Sequence, residues 1–167
     1  PDFTADALHR TGVAMRAFYE QQGGGNLPQY DKDAIDVRVI CEIKTNTWNE
    51  SAKQIVINDA QIHAFNELKA HYTRMFNDPE YEEAFKPSGA ISAPEDIEAL
   101  TAFFFWGGWV SGAERPGQTY SYTHNWPYEP LVGNRPTGET VVWTGVSIIM
   151  LLAGISAMVW WYAARKS

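Results

Sequence analysis

The sequence predicts a mainly α-helical protein in which a domain precedes one membrane-spanning helix. Residues 141–164 contain no charged side chain. At about 1.5 Å per residue they would form a helix of roughly 36 Å, long enough to cross a hydrocarbon core of about 30 Å. Several segments before residue 140 repeat apolar side chains at helical spacing between capping and stop signals. We therefore expect a helical domain that is anchored in a membrane by a C-terminal helix.

The first predicted helix occupies the N-terminal twenty residues. Thr4 or Asp6 can cap it, and the three glycines at positions 23–25 would end it. One face of this helix carries side chains at helical spacing, namely Leu8, Thr11, Met15 and Phe18. We expect that face to be buried.

Residues 31–45 are compatible with two structures. Apolar residues alternate from Ile35 to Ile43 and are β-branched, as in a strand, yet Ile35, Val39 and Ile43 also form a helical stripe that Asp31 could cap. The residues by themselves favour strand and helix equally. Residues 45–50 predict a turn and residues 54–57 a short strand.

Two longer helices are predicted in the second half of the domain. Asn58 and Asp59 can cap a helix over residues 60–76. The inner face of that helix would carry Ile62, Phe65, Leu68, Tyr72 and Met75 or Phe76. A short helix is predicted after Pro79. Residues 92–95 form a capping-box pattern that opens the next helix, which should end before Pro116.

The aromatic run in that last helix resembles a second membrane span. However, Glu98 and Glu114 enclose only about 15 uncharged residues, which are too few to cross a bilayer. We expect either a central core helix or a helix that lies against the membrane surface.

Residues 117–139, here called the strap, are rich in proline, glycine and aromatic side chains. Three prolines exclude a continuous helix, and a flexible linker would be rich in glycine and serine instead. We expect an ordered, extended segment that packs on a partner surface. The candidate contact residues are His124, Trp126, Tyr128, Glu129 and Asn134. His124 and Glu129 could form a polar contact near the membrane, with a structural role favoured over proton transfer.

The flanks of the predicted membrane helix, residues 140–164, set its orientation. Arg165 and Lys166 follow it directly, so residues 165–167 should be cytoplasmic and the domain should lie outside the cytoplasm. Aromatic residues near both ends fit interfacial belts. Gly145 and Gly154 would allow close packing against neighbouring helices. A buried core helix is the alternative, but such helices are rarely so uniformly apolar.

Composition narrows the function further. The net charge is −7, and without Arg165 and Lys166 there remain 11 basic and 20 acidic residues, a charge of −9, which argues against nucleic acid as a partner. The single cysteine, Cys41, excludes an internal disulfide and a Cys-x-x-Cys-His haem-attachment run. His63 and His71 would lie about 12 Å apart along one helix, too far for one metal ion, so we expect solvated histidines.

No nucleophile–base pair or paired carboxylates emerge from the residues, so we expect part of a membrane assembly whose chemistry lies elsewhere. The chain lacks an initiating methionine and a signal peptide although its domain should be exported. We expect a piece of a longer polypeptide with export signals upstream.

Four segments carry a resemblance to a known family: residues 1–10, 43–47, 100–106 and 122–134, the last including Asn125-Trp126-Pro127. They are similar to the quinol-dependent nitric oxide reductases of bacteria, members of the haem–copper oxidase superfamily. The resemblance implies a cytochrome-c-like domain that has lost its haem, residues 1–116 and incomplete at its N-terminus, followed by the strap and by one helix of a larger bundle. It also favours a helix for residues 31–45.

The resemblance further implies an enzyme of the bacterial inner membrane that reduces two NO to N2O with electrons from quinol. Its cofactors would be b-type haem, haem b3 and non-haem iron, held on helices beyond Ser167. No catalytic, cofactor-binding or metal-binding residue is therefore assigned to this chain. Its expected partners are the remaining helices of the catalytic bundle, the lipid membrane and, in the whole enzyme, quinol; a homodimer is compatible with this organisation.

Two other functions stay open on the sequence. One is a free-standing, membrane-anchored interaction domain without catalysis on the extracytoplasmic side. The other is an electron-transfer subunit that carries c-type haem upstream of Pro1.

Overall fold

The computed structural model describes residues 2–78 and 91–165, which belong to two compact units, Pro1–Arg135 and Pro136–Ser167. In chain order the elements are α1 (Phe3–Gln22), α2 (Gln29–Lys44), β1 (Trp48–Asn49), β2 (Gln54–Ile55), α3 (Asp59–Asn77), α4 (Pro94–Gly112), a 3-10 turn (Pro130–Val132) and α5 (Gly138–Ala164). The predicted mainly α-helical fold is confirmed.

Helix α1 lies at the centre of the first unit, where it packs against α2, α3 and α4. Its cap is Asp2 rather than Thr4 or Asp6, because the Asp2 Oδ1 atom accepts hydrogen bonds from the N–H groups of Thr4 and Ala5. The helix ends at Gln22 and Gly23 caps it, as the run of glycines predicted. The expected inner face is confirmed for three of its four members, and Phe18 is only half-buried.

Helix α2 resolves the ambiguity of residues 31–45 in favour of the helix. Val39 and Ile43 are buried and Ile35 packs against the same cluster, so the helical stripe faces the core. Val37 is 61% exposed, whereas the alternating strand pattern would place it on the same buried face as Ile35 and Val39. The helix packs against α1, the 3-10 turn and α4, and burial of one stripe against them favours the helical pattern over the alternating one.

Strands β1 and β2 form a small antiparallel hairpin in which Trp48 pairs with Ile55 and Asn49 with Gln54. The predicted turn at residues 45–50 is therefore wrong at positions 48 and 49, and the chain reverses at residues 50–53 instead. The predicted strand is confirmed for Gln54–Ile55.

Helix α3 begins with a complete capping box. The Asn58 side chain accepts from the Gln61 N–H, and the Gln61 side chain accepts from the Asn58 N–H. This draws Gln61 into the interior and leaves Ile62 46% exposed, so the predicted burial of Ile62 is wrong. Leu68, Tyr72, Met75 and Phe76 are buried, as predicted. The short helix predicted after Pro79 lies outside the described residues.

Helix α4 begins at Pro94 without a side-chain cap, so the predicted capping box at residues 92–95 is wrong, while proline in the first turn is confirmed. The helix ends at Gly112, before Pro116. Only one side of α4 faces the core. Ile97 and Thr101 are buried, whereas Phe103 and Trp106 remain 61% and 49% exposed.

The second unit contains α5, whose 27 residues begin two positions earlier than predicted. The Thr137 hydroxyl caps it by accepting from the Thr140 N–H. Its length and apolar composition make it a candidate membrane-spanning helix.

Candidate functional site

The strap is built on a buried asparagine, Asn134, whose side chain is fully shielded from solvent. Its amide nitrogen donates to two backbone carbonyl oxygens, that of Ser111 at 3.1 Å and that of Pro127 at 2.9 Å. Its Oδ1 atom accepts from the Lys44 ammonium at 2.7 Å. One side chain thus joins the end of α4, the C-terminus of α2 and the strap itself.

Lys44 makes a second contact with the strap. Its Nζ atom also donates to the Asn125 Oδ1 atom at 3.2 Å. Burial lowers the pKa of Lys44, while the carboxylate of Glu114 opposes that shift. The Lys44 ammonium therefore donates hydrogen bonds to two neutral amide oxygens. These two bonds fix the positions of both asparagine side chains.

A tight turn precedes this point. Asn125 has a positive φ of 60°, a conformation that asparagine tolerates better than most residues. Its Oδ1 atom accepts from the Ser121 N–H at 3.0 Å, and its own N–H donates to the Ser121 hydroxyl at 2.8 Å. This reciprocal pair closes the turn over the buried Ser121.

Glu129 anchors the strap to α1. Its backbone pairs with that of Asn134 through two hydrogen bonds of 2.9 Å, and its Oε1 atom accepts from the Leu131 N–H at 3.1 Å. Its Oε2 atom lies 2.8 Å from the Nδ1 atom of His9. The predicted contact between His124 and Glu129 is wrong, because His124 stacks instead on the ring of Tyr120, with ring centroids 4.6 Å apart.

The remaining two predicted strap residues point away from this polar framework. Trp126 is 55% exposed and Tyr128 is 60% exposed, while Pro127 between them is buried. The structure therefore brings Glu129 and Asn134 together and leaves the side chains of Trp126 and Tyr128 exposed at the surface of the first unit. Buried and exposed side chains thus alternate along this extended segment. Its buried residues hold the backbone in place, and its outer side chains face solvent.

The valine of the short 3-10 turn gives the strap a hydrophobic contact. Val132 is fully buried and its Cγ1 atom lies 2.7 Å from the position that a Cβ atom on Gly12 of α1 would take. The strap and α1 approach this closely because position 12 carries no side chain.

Of the two histidines of α3, His71 differs from the prediction. His71 is not solvated: its side chain is 11% exposed and its Nε2 atom lies 3.6 Å from the Asp6 carboxylate. Burial alone would raise the pKa of Asp6, but the nearby His71 ring, the Arg10 guanidinium and the hydrogen bond from the Tyr72 hydroxyl lower it. His63 packs against Phe18. Among the described residues, no group of three His, Cys, Asp or Glu side chains is arranged to hold a metal ion.

A small cavity lies where the helices of the first unit meet. Its volume is about 20 Å³. Residues of α1, α2, α3 and α4 line it, namely Leu8, Thr11, Ile43, Gln61, Phe105, Gly108 and Trp109. This space suits about one water molecule. Cofactor pockets usually measure about 300–1,000 Å³. This cavity is therefore too small for a cofactor, whereas an open cleft of about 520 Å³ lies between α1 and α3 and is lined in part by His9, His63 and His71.

Sequence reasoning missed Lys44, Asn125, Ser111 and His9 as partners of the strap. A lysine at the end of a helix gave no signal, because such lysines are usually solvated. The contacts of Lys44 and His9 with the strap join positions 81 to 120 residues apart, and that of Ser111 with Asn134 spans 23 positions.

A protein-family model that describes the cytochrome c-like domain of NorB, a nitric oxide reductase subunit, matches residues 1–128. The match covers the helical unit and the strap as far as Tyr128. No curated protein matches the chain.

Proposed function

The chain belongs to the family of the NorB cytochrome c-like domain of nitric oxide reductase, and from this premise we propose that it is part of a quinol-dependent enzyme. The reaction would be 2 NO + 2 e− + 2 H+ → N2O + H2O, with quinol as the electron donor. This piece would serve as a structural cap and anchor on the catalytic haem bundle, and would contribute no catalytic residue.

The observation that carries the proposed role is the construction of the strap. Its inner side is locked by Asn134, Lys44 and Glu129, whereas Trp126 and Tyr128 are exposed. Large aromatic side chains on a rigid surface contribute binding energy when a partner protein buries them. We propose that these two side chains pack on the remaining helices of the catalytic bundle.

The residues of this sequence include a single cysteine and so supply no covalent haem-attachment pair of their own, which supports quinol as the donor in this proposal. In the proposed enzyme, b-type haem, haem b3 and non-haem iron would be held by helices outside this sequence, where they would supply the redox chemistry.

The proposed location is the bacterial inner membrane, with the domain on the periplasmic side. Helix α5 is long and apolar enough to span a bilayer, and the sequence continues with Arg165 and Lys166, which favour the cytoplasmic side.

Two measurements on the complete polypeptide test the proposed reaction. Its intact mass should be several times the 18.8 kDa of this chain, and the purified enzyme should consume NO when supplied with quinol. A mass near 18.8 kDa would instead support a free-standing, anchored interaction domain. Covalent haem on a denaturing gel would support the electron-transfer subunit.

The structural role is tested by Trp126→Ala in the complete enzyme. We expect less haem per protein and lower thermal stability, with the turnover per retained haem little changed. Trp48→Ala is the matched control, since Trp48 is also a half-exposed tryptophan but lies in the hairpin. Normal haem content with lost turnover in Trp126→Ala would contradict a purely structural strap.

A further inference from the structure

The open cleft between α1 and α3 gathers most of the histidines of the chain. Its volume of about 520 Å³ is within the range of about 300–1,000 Å³ that is typical of small-molecule sites. His9, His63 and His71 line it, so three of the four histidines in the sequence meet in one place. In the described part of the chain no three His, Cys, Asp or Glu side chains are arranged to hold a metal ion, which leaves hydrogen bonding as the chemistry of these imidazoles.

The cleft reverses the charge balance of the chain. Acidic residues outnumber basic ones by 20 to 13 in the sequence. Among the described residues that line the cleft, Arg10 and Arg74 are set against a single carboxylate, that of Glu67. Guanidinium groups bind phosphate and carboxylate groups through paired N–H donors. A concave surface that combines two arginines with three imidazoles in an acidic chain is therefore suited to an anion.

Asp6 does not line the cleft but fixes two of the groups that do. Its Oδ1 atom accepts from the Arg10 Nε–H group at 2.8 Å, and its Oδ2 atom lies 3.6 Å from the Nε2 atom of His71. The hydroxyl of the buried Tyr72 donates to Oδ2 at 3.0 Å and holds the carboxylate in turn. Asp6 offsets part of the positive charge of Arg10, but it also orients the guanidinium and the imidazole. Groups that are ordered before a ligand binds lose less conformational entropy on binding.

The cleft has one cationic end. Helices α1 and α3 run antiparallel, because Asp6 contacts Tyr72 while Phe18 contacts His63. Residues near position 10 of α1 therefore lie beside residues 70–74 of α3. This end of the cleft combines four side chains that carry N–H donors, namely His9, Arg10, His71 and Arg74. An anionic group would be bound here.

Towards the other end, the lining provides hydrogen-bond acceptors as well as donors. Gln21 supplies an amide, Glu67 a carboxylate and His63 an imidazole. The small side chains of Ala14 and Ala17 leave space between these polar groups. A carboxylate beside that space accepts from hydroxyl groups and repels further negative charge. The lining thus matches a molecule with an anionic group at one end and hydroxyl groups along its body.

We propose that the cleft between α1 and α3 binds a phosphate ester that carries neighbouring hydroxyl groups, with its phosphate at Arg10 and Arg74. Phosphate suits this end better than a carboxylate because its three acceptor oxygens can meet several donors at once. The same chemistry occurs in soluble glycerol 3-phosphate and in the headgroup of phosphatidylglycerol. The site is independent of the proposed reductase role, since it uses neither the exposed aromatic side chains of the strap nor any redox cofactor.

Histidine footprinting of the complete polypeptide tests the site. The protein is placed in phosphatidylcholine nanodiscs and treated with diethyl pyrocarbonate, and mass spectrometry measures the rate at which each histidine is modified. Glycerol 3-phosphate should slow the modification of His9 and His63 several-fold, whereas glycerol, which lacks the phosphate, should not. His124 is the internal control, because it stacks on Tyr120 outside the cleft and should be modified at the same rate throughout.

A second set of nanodiscs distinguishes the two sources of the phosphate ester. These contain phosphatidylglycerol, and no soluble ligand is added. Slower modification of His9 and His63 in these nanodiscs would assign the site to a lipid headgroup. Protection by glycerol 3-phosphate alone would assign it to a soluble ligand.

Substitution of the arginines tests the position of the phosphate. Arg74→Gln should raise the amount of glycerol 3-phosphate or phosphatidylglycerol needed for half-maximal protection about tenfold or more, because a hydrogen bond between charged groups is lost. Arg10→Gln should have the same effect, and circular dichroism checks that each variant is folded. Arg115→Gln is the matched control, since Arg115 is exposed like Arg74 but lies after α4, outside the cleft.

Three outcomes would overturn the proposal. One is the absence of protection by both glycerol 3-phosphate and phosphatidylglycerol in protein that keeps its native circular dichroism. Another is equal protection of His124, which would show general shielding rather than binding in the cleft. The third is protection that persists unchanged in both Arg74→Gln and Arg10→Gln.

Discussion

Lys44 and Asn134 lie 90 residues apart in the chain, and the Lys44 Nζ atom donates a hydrogen bond of 2.7 Å to the Asn134 Oδ1 atom. Because Asn134 is fully buried, this bond fixes the strap against the end of α2. A half-buried cation whose pKa is lowered by burial is retained here because amide oxygens satisfy it.

Lys44→Met should destabilise the domain by about 1–3 kcal/mol, because it leaves a buried amide oxygen without its donor. Chemical denaturation followed by circular dichroism measures the free energy of unfolding. Lys69→Met is the control: Lys69 pairs with Glu98 in an exposed contact, so it should change stability by less than about 1 kcal/mol. Equal effects of the two substitutions would show that the Lys44 contact is no stronger than a surface pair.

Asn134→Ala should cost about 2–4 kcal/mol, since it removes the partner of Lys44 and two donors to backbone carbonyl oxygens. Residues that share a hydrogen bond are not independent, so Lys44→Met/Asn134→Ala should cost less than the two single losses together, by about 0.5–3 kcal/mol. Strict additivity in this double-mutant cycle would mean that the two side chains do not interact in solution.

Gly12→Ala should destabilise the domain by about 1–3 kcal/mol, although alanine is the better helix former. The new Cβ atom would lie 2.7 Å from the Cγ1 atom of Val132, so the strap would be pushed away from α1. Gly107→Ala provides the contrast within α4. Its Cβ atom would meet Thr4 at an ordinary 3.4 Å, and helix propensity should make it neutral or stabilising. Thermal unfolding of both variants distinguishes the two cases.

Tyr19 should make the domain lose stability in alkali. Burial, together with hydrogen bonds to the Glu42 carboxylate, raises the pKa of Tyr19 to about 12 from 10.0. The folded state therefore keeps a proton that the unfolded state releases. The stabilisation is complete below pH 10 and is lost as the pH rises towards 12.

Tyr19→Phe should flatten this alkaline decline, measured as the midpoint of urea unfolding across that pH range. Tyr30→Phe, which removes the hydroxyl of a tyrosine that is 72% exposed, should leave the decline unchanged. An equally steep decline in Tyr19→Phe would assign it to another group.

Local signals in the sequence were sufficient for α3, α4 and α5. Apolar periodicity and capping residues act within one or two helical turns, and the predicted bounds lie within about two residues of those observed. The errors arose where two local signals compete. Ser92 and Glu95 match a capping box, yet α4 begins at Pro94 with no side-chain cap. Ile62 follows the apolar period of α3, yet the capping box turns Gln61 inwards instead.

Helix α2 shows why apolar spacing alone does not distinguish a strand from a helix when residues four positions apart also fit a period of two. Its β-branched residues satisfied a strand and a helix equally, and the resemblance of other segments was needed to favour the helix. Packing decides such a case, because the helix places Val39 and Ile43 in the buried cluster and packs Ile35 against it.

Local sequence signals were enough to predict the long apolar helix at the C-terminal end, the acidic helical domain and an ordered strap rich in aromatic residues. These properties depend on composition and on neighbours a few positions away. Helix packing, by contrast, determines that Glu129 contacts His9 rather than His124, and that Lys44 binds Asn134 and so holds the strap. Such contacts join positions 90 or 120 residues apart, so they exist only after helix packing has placed both backbones within hydrogen-bonding distance.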